Sequence, residues 1–283
     1  MDDHNNKPVV LAISSDQHTN STVGLCPPSI ELDDGGFYRP RGQQRQLWRH
    51  WLQYIERVKE VRDRHGGKLI AIFNGDTTDG DHHKTRQIIT RNRSTMVRIA
   101  SNSLLPLVSE SDLVMFTRGT AAHVGNSGEI EEEIAHDLGG WTNNTASYSH
   151  ERLFFTINGV TLDIAHHAGM GGLPWTYKNA ANKVASKSLI RSAEYKTKMP
   201  DLVIRSHNHR WADSYDNYPV RAVCVAGWQL RTEFISRIDA DAIANIGAII
   251  VTIYPGGTYD VEKFDVPIDR PRPVRLDLED FSK

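Results

Sequence analysis

Residues 68–83 read KLIAIFNGDTTDGDHH. After its lysine, Lys68–Phe73 is an unbroken apolar run, entered from Gly66-Gly67 and left at Asn74-Gly75. That length suits a strand rather than a helix, and the lack of polar alternation suits a strand covered on both faces. The character then changes at once, because Asp76, Asp79, Asp81, His82 and His83 crowd in directly behind the strand. In open α/β sheets ligands bind outside the carboxyl ends of the strands, so one short segment supplies both a fold element and a candidate site.

Working outward, Pro8–Ser14 (PVVLAIS) is a second buried-strand pattern, followed by a loop rich in Ser, Asp, Gly and Pro over 15–42. Arg45–His65 carries Leu47, Trp51, Tyr54, Ile55, Val58 and Val61 at helical spacing. Thr85–Leu107 reads as another helix, Asp112–Thr117 as a third strand and Glu129–Leu138 as a short acidic helix. Arg152–Asn158 and Val160–Ala165 form a hairpin pattern through Asn158-Gly159. Trp175–Lys198 reads as a basic helix and Asp201–Arg205 as a strand, with later strands at Val220–Val225, Ala248–Tyr254 and Thr258–Phe264. Helices alternate with strands and then give way to hairpins. This implies an α/β core, with one mixed sheet or two packed sheets, in a single domain over 1–283. The Pro-, Asp- and Arg-rich segment 265–283 reads as a surface tail.

Composition bounds the rest. The 283 residues carry 33 Lys+Arg against 35 Asp+Glu, a net charge of −2, so nothing global marks a nucleic-acid binder. Two cysteines, Cys26 and Cys224, are too few for a disulfide scaffold. No apolar run approaches a membrane span, and no apolar signal region follows Met1, so the expectation is a cytoplasmic chain without membrane partners. The unusual count is 13 His.

Those histidines sit at strand ends. Asp16-x-His18 follows the first strand, Asp76 and Asp79 the second, and Gly119-Thr120-Ala121-Ala122-His123 the third. His166-His167 and His207-x-His209 follow two later strands. Asp with His is a donor set for Mn, Fe, Zn or Ni. In D-x-H and H-x-H, alternate side chains project together if the chain stays strand-like. Either pair alone is weak, but all five loops together imply a site for two metal ions. His4, His50, His65, His136 and His150 lie away from the strand ends and read as structural or surface residues.

The order Asp16/His18, Gly75-Asp76-Thr77-Thr78-Asp79-Gly80, Gly119…His123, His166-His167 and His207/His209 resembles the calcineurin-like metallophosphoesterases. Asp81-His82-His83 and Gly227-Trp228-Gln229-Leu230 look like versions seen in bacteriophage and prophage members. The resemblance implies a sandwich of two mixed β-sheets flanked by helices. It implies two divalent cations, Mn²⁺ first and Fe, Zn or Ni as alternatives. Asp16, His18 and His209 would hold one ion, His166 and His207 the other, and Asp76 would bridge them. The implied activity is phosphoester hydrolysis by a metal-bridging hydroxide.

Two departures stand out. Thr120 occupies the place of the family's Asn ligand, leaving Thr120, Asn126 or His123 to complete the second ion's shell. His123 arrives two residues late, and remains the candidate to protonate the leaving group. His166 is taken as the ligand over His167, which is left to contact other ligands or substrate. Asp79 and Asp81 are expected to orient the loop. Tyr38, Arg39 and Arg41, in the loop read as a lid, are expected to reach phosphate.

Two basic stretches, Lys84–Leu107 and Trp175–Lys198, together with Arg205 and Arg210, suggest a groove for DNA, RNA or a nucleotide, with Trp175 and Tyr177 as stacking residues. The expectation is therefore a phosphodiesterase of nuclease type. The alternatives are a phosphomonoesterase on a small substrate, or a catalytically weak metal- and nucleic-acid-binding accessory protein.

Overall fold

The computed structural model describes residues 7–81, 85–143, 146–169, 176–267 and 275. In chain order its first half contains β1 (Val9–Ser14), β2 (Ile30–Glu31), β3 (Phe37–Tyr38), α1 (Gly42–His65), β4 (Lys68–Asn74), α2 (Arg93–Val108), β5 (Leu113–Thr117), α3 (Ala121–Val124) and α4 (Glu129–Asp137). The second half contains β6 (Ser149–His150), β7 (Leu153–Ile157), β8 (Val160–His167), α5 (Asn179–Tyr195), β9 (Leu202–Ser206), β10 (Ala212–Asp213), β11 (Arg221–Cys224), α6 (Glu233–Ile238), β12 (Ile246–Tyr254) and β13 (Thr258–Val266).

Two mixed sheets pack face to face. The first has the order β13-β12-β1-β4-β5-β6, the second β10-β11-β9-β8-β7, and β2-β3 is a separate hairpin. In the first sheet β1, β4, β5 and β6 are parallel, β12 runs antiparallel to β1, and β13 runs antiparallel to β12. In the second, β8, β9 and β11 are parallel and the edges β7 and β10 are antiparallel.

The apolar runs follow from this layering. Leu11 and Ile13 of β1, with Ile70 and Ile72 of β4, pack against Leu162 and Ile164 of β8 and Leu202 and Ile204 of β9. The alternate residues, Val10, Ala12, Leu69, Ala71 and Phe73, pack against α1, α2 and α4. A strand with a sheet on one side and helices on the other has no face left for polar side chains. The outer face of the second sheet is covered by α5 through Ala180, Ala181 and Ala185. The four layers are thus α/β/β/α. Among the described residues no helix is long and apolar enough to cross a membrane.

Several expected boundaries move. Residues 85–92 are not helical: Asn92 caps α2, its side chain accepting from Thr95 N, and Ile88 bridges to Ser21 instead. The basic helix begins at Asn179 rather than 175. The segment 15–42 is not an open lid. Residues 15–21 are buried, and Tyr38 turns away from the site to donate to Gln44 Oε1 at 2.7 Å. Arg39 lies over the Phe37 ring, and Arg41 is the N-cap residue of α1. The tail starts later than 265, because Asp265 and Val266 still pair in β13 with Gly247 and Ile246. His4, His82, His83, Lys84, Trp175 and most of the tail lie outside the described residues.

Candidate metal centre

The parallel strands of both sheets end at one edge, and the chain there is knitted by backbone hydrogen bonds. Asp16 N donates to Gly75 O at 2.9 Å, His18 N to Asp76 O at 3.0 Å and Trp228 N to Asp16 O at 2.8 Å. His207 N joins the second sheet to the first by donating to Asp16 Oδ2 at 3.2 Å. All the expected ligands therefore come together.

They do not converge by staying strand-like, as the D-x-H and H-x-H spacing suggested. Asp16 (φ 53°), His18 (44°), Asp76 (53°), His207 (76°) and His209 (48°) all adopt left-handed backbone. Such residues cost of order 1–3 kcal/mol each and persist only where the surroundings impose them. Alternate left-handed residues turn the side chains inward as the chain leaves the sheet. His166 is the exception. β8 runs on to His167 past an irregularity after Ile164; His166 is buried, 1% exposed, while His167 is exposed.

The first cluster is Asp16, His18 and His209. His209 Nε2 lies 3.2 Å from Asp16 Oδ1 and 3.2 Å from His18 Nε2. Two donors each about 2.1 Å from one cation, at tetrahedral to octahedral angles, stand roughly 3.0–3.4 Å apart. Asp16 Oδ2 is occupied by Ser15 Oγ (2.6 Å) and His207 N, whereas the buried Oδ1 has no hydrogen-bond partner. A desolvated carboxylate oxygen left bare is costly, and a cation removes the cost. Burial pushes the His18 imidazole down, toward the neutral, metal-binding form.

The second cluster is Asp76, His166, His207 and Thr120. Asp76 Oδ2 lies 3.0 Å from His166 Nε2, 3.1 Å from Thr120 Oγ1 and 3.9 Å from His207 Nδ1. Thr120 Oγ1 is itself 3.2 Å from His207 Nδ1. His166 Nδ1 lies 2.7 Å from the Asn74 carbonyl, which can only accept, so Nδ1 carries a proton. In the neutral ring Nε2 then presents a lone pair to a carboxylate oxygen, which demands a proton or a cation between them. Burial alone would lower His166, but Asp76 and Asp16 outweigh it and raise the imidazole to about 10. Burial would likewise raise both carboxyls, yet neighbouring imidazoles hold Asp16 and Asp76 well below the usual carboxylate range. Two buried anions among histidines form a site that calls for positive charge, and the residues fit two divalent ions.

Thr120, not Asn126, stands in the second cluster; Asn126 is exposed on the turn beyond α3. The single turn α3 also explains the late histidine. It returns His123 over the β4 loop, where Gly80 N donates to His123 O at 2.9 Å. His123 Nδ1 is 2.7 Å from Asp79 Oδ1 and Nε2 is 4.0 Å from Asp76 Oδ2. Burial lowers its imidazole, but the hydrogen bond to Asp79 and the charge of Asp76 raise it on balance. Asp79 therefore acts on His123, and Gln229 Nε2 donates to its other oxygen at 3.3 Å. Asp81 faces out and pairs with Arg91 at 2.7 Å.

Glu131 is a residue the sequence pattern does not single out. It lies on the buried face of α4, and its carboxylate accepts from Gly119 N at 2.5 Å and Thr77 N at 3.2 Å. It thereby clamps the two backbone segments that carry Thr120 and Asp76. Burial and the charge of Asp76 push its carboxyl up to about 7. The clamp is tight: a Cβ on Gly119 would fall 2.2 Å from Asp76 Oδ1.

No family profile matches the chain, and no curated protein matches it. Similar solved structures include a dimetal phosphatase from Danio rerio, at 10% identity and a TM-score of 0.47, covering 91% of this chain and 96% of that one. A 5′-nucleotidase from Candida albicans is 9% identical with a TM-score of 0.46, covering 90% of this chain and 50% of that one. The sulfate thiohydrolase SoxB of Thermus thermophilus is 12% identical with a TM-score of 0.42, covering 90% of this chain and 56% of that one. The chain thus spans about half the length of the nucleotidase and of SoxB.

Proposed function

We propose that the chain is a two-metal phosphoester hydrolase of the calcineurin-like type, acting on phosphodiesters of nucleotides or nucleic acid. The observation that carries this reading is the pair of buried carboxylates, Asp16 and Asp76, set 3.0–3.2 Å from imidazole nitrogens with Asp16 Oδ1 left bare. Asp16, His18 and His209 would hold one cation, and His166, His207 and Thr120 the other, with Asp76 shared. Mn²⁺ suits this donor set, as do Fe, Zn and Ni. Bound there, the cations would supply Lewis-acid activation of the phosphoryl group and of water.

The chain's own residues do the rest. His123, held through Nδ1 by Asp79, presents Nε2–H beside Asp76 and gives that proton to the leaving oxygen. Glu131 holds the Gly119 and Thr77 amides so that Thr120 and Asp76 keep their places. His167 is exposed, with its ring 5.0 Å from both His166 and His207, and is left to meet substrate.

The test is hydrolysis of bis-p-nitrophenyl phosphate against p-nitrophenyl phosphate, with and without Mn²⁺. Metal-dependent turnover that prefers the diester and disappears in Asp76→Asn is expected. Preference for the monoester would replace the diesterase reading with a phosphomonoesterase. Protein holding two equivalents of metal but inert on both would overturn hydrolysis in favour of a binding protein.

A further inference from the structure

The two basic stretches fare differently in the fold. Around α2 three cations are spent internally, leaving the exposed Arg86 ahead of the helix: Arg91 pairs with Asp81 at 2.7 Å, Arg93 with Glu133 at 2.9 Å, and Arg98 donates to Glu31 O at 2.7 Å. On α5, Lys183, Lys187 and Arg191 are exposed and make no ion pair or side-chain hydrogen bond among the described residues. Their spacing of four puts them on one helical face, and Tyr195, 66% exposed, continues the same row. The opposite face is anchored to the second sheet by Ala181 and Ala185.

The chain enters the row from the site loops. β8 ends in His166-His167, and α5 follows the next connection. Arg210, one residue past His209, places its guanidinium 3.8 Å from the centroid of the Tyr177 ring, just ahead of α5. Arg210 likewise has no carboxylate partner among the described residues. From Lys183 to Tyr195 the helix runs about 18 Å at 1.5 Å per residue. A nucleic-acid strand rising 3.4 Å per nucleotide covers that distance in about five.

We infer that the exposed face of α5 binds the phosphate backbone of a single-stranded nucleic acid leading away from the metal centre. The inference rests on the proposed hydrolase reading for its substrate and deepens it. Lys183, Lys187 and Arg191, each about 6 Å from the next along the helix, contact roughly every second phosphate, and Arg210 contacts the phosphate nearest the metals. Tyr177 backs Arg210 at the near end, and Tyr195 marks the far end, where a base can stack on the ring face. The tyrosines favour nucleic acid over an anionic lipid surface. The consequence is a preference for polymers over dinucleotides and small diesters.

The test compares the intact protein, in Mn²⁺, with the triple variant Lys183→Gln/Lys187→Gln/Arg191→Gln. The probe is a fluorescein-labelled phosphorothioate oligothymidylate, which resists cleavage. Each phosphate contact on a single strand contributes about 0.7 to the slope of log affinity on log salt, so the variant should lose about 2 from that slope. Between 50 and 200 mM salt the intact protein should then lose about 20-fold more affinity than the variant. Equal slopes overturn the inference, as does binding of phosphatidylserine vesicles without binding of the oligonucleotide. Turnover of bis-p-nitrophenyl phosphate on the same preparations should be equal, showing that the variant is folded. Intact protein that binds the oligonucleotide along α5 but hydrolyses neither bis-p-nitrophenyl phosphate nor p-nitrophenyl phosphate refutes the catalytic reading and not this one.

Discussion

His123 and Asp79 show how much a single contact decides. Asp79 Oδ1, 2.7 Å from His123 Nδ1, favours the charged imidazole. As a general acid His123 works only while protonated, so activity should fall as pH rises through its pKa. Asp79→Asn removes the charge that raises that pKa, and the alkaline limb of the diester pH–rate profile should move to lower pH. His123→Ala should reduce turnover by roughly 10²–10⁴-fold without loss of bound metal. An unmoved alkaline limb in Asp79→Asn would remove Asp79 from this role. The site residues were legible because Asp and His, rare in apolar surroundings, stand at the ends of apolar runs. The left-handed backbone of Asp16, His18, Asp76, His207 and His209 was not, since nothing in those residue types demands it. Glu131 was hidden for another reason, because in the run Glu131-Glu132-Glu133 the three acids look alike and only packing buries the first.

At the scale of elements, α4 is a brace for the metal centre. Its Glu131 spans from the β5 loop at Gly119 to the β4 loop at Thr77. Glu131→Gln sets an amide NH₂, which only donates, against one of these N–H groups. The loss should appear as weaker metal binding, by roughly 10–100-fold, rather than as unfolding. Calorimetric titration with Mn²⁺ checks this, and an unchanged affinity would reduce Glu131 to a core residue. Element boundaries were readable where both faces of a strand are apolar, as in β1 and β4. They failed where tertiary contacts overrule local pattern. Residues 85–92 carry helical spacing at Ile88 and Ile89, but Asn20 captures this segment, accepting from Thr90 N at 3.1 Å through Oδ1 and donating to Thr90 O at 2.9 Å through Nδ2. β8 outran its apolar stretch because His167 pairs with Ser206 of β9.

For the whole molecule, the centre links metal, protons and stability. Glu131 is raised to about 7 from an ordinary 4.5, so it opposes folding increasingly as pH rises between those values. His166 is raised to about 10 from 6.5; its contribution is fully present below 6.5 and is lost as pH climbs through 10. Both signs agree, but the lowered His18 gains stability as pH rises to 6.5, so EDTA-treated protein should lose stability steadily from pH 7 to pH 10. Bound cations replace those protons, and Mn²⁺-loaded protein should hold its melting temperature, the two curves separating by about 5–10 °C at pH 9. Parallel melting curves, followed by differential scanning fluorimetry across that range, would contradict this linkage.

The left-handed ligand residues have a further consequence for how the chain reaches its native state. His18 and His209 meet at 3.2 Å although 191 residues separate them, and the groups Asp16/His18/His209 and Asp16/Asp76/His166/His207 draw donors from both sheets. Contacts of such long sequence separation are among the slowest to form, because loop closure must precede any reward. The ligand loops adopt their unfavourable backbone only once both sheets have docked. Capture of the two proposed ions is therefore expected to be the closing event of folding, after both sheets have met.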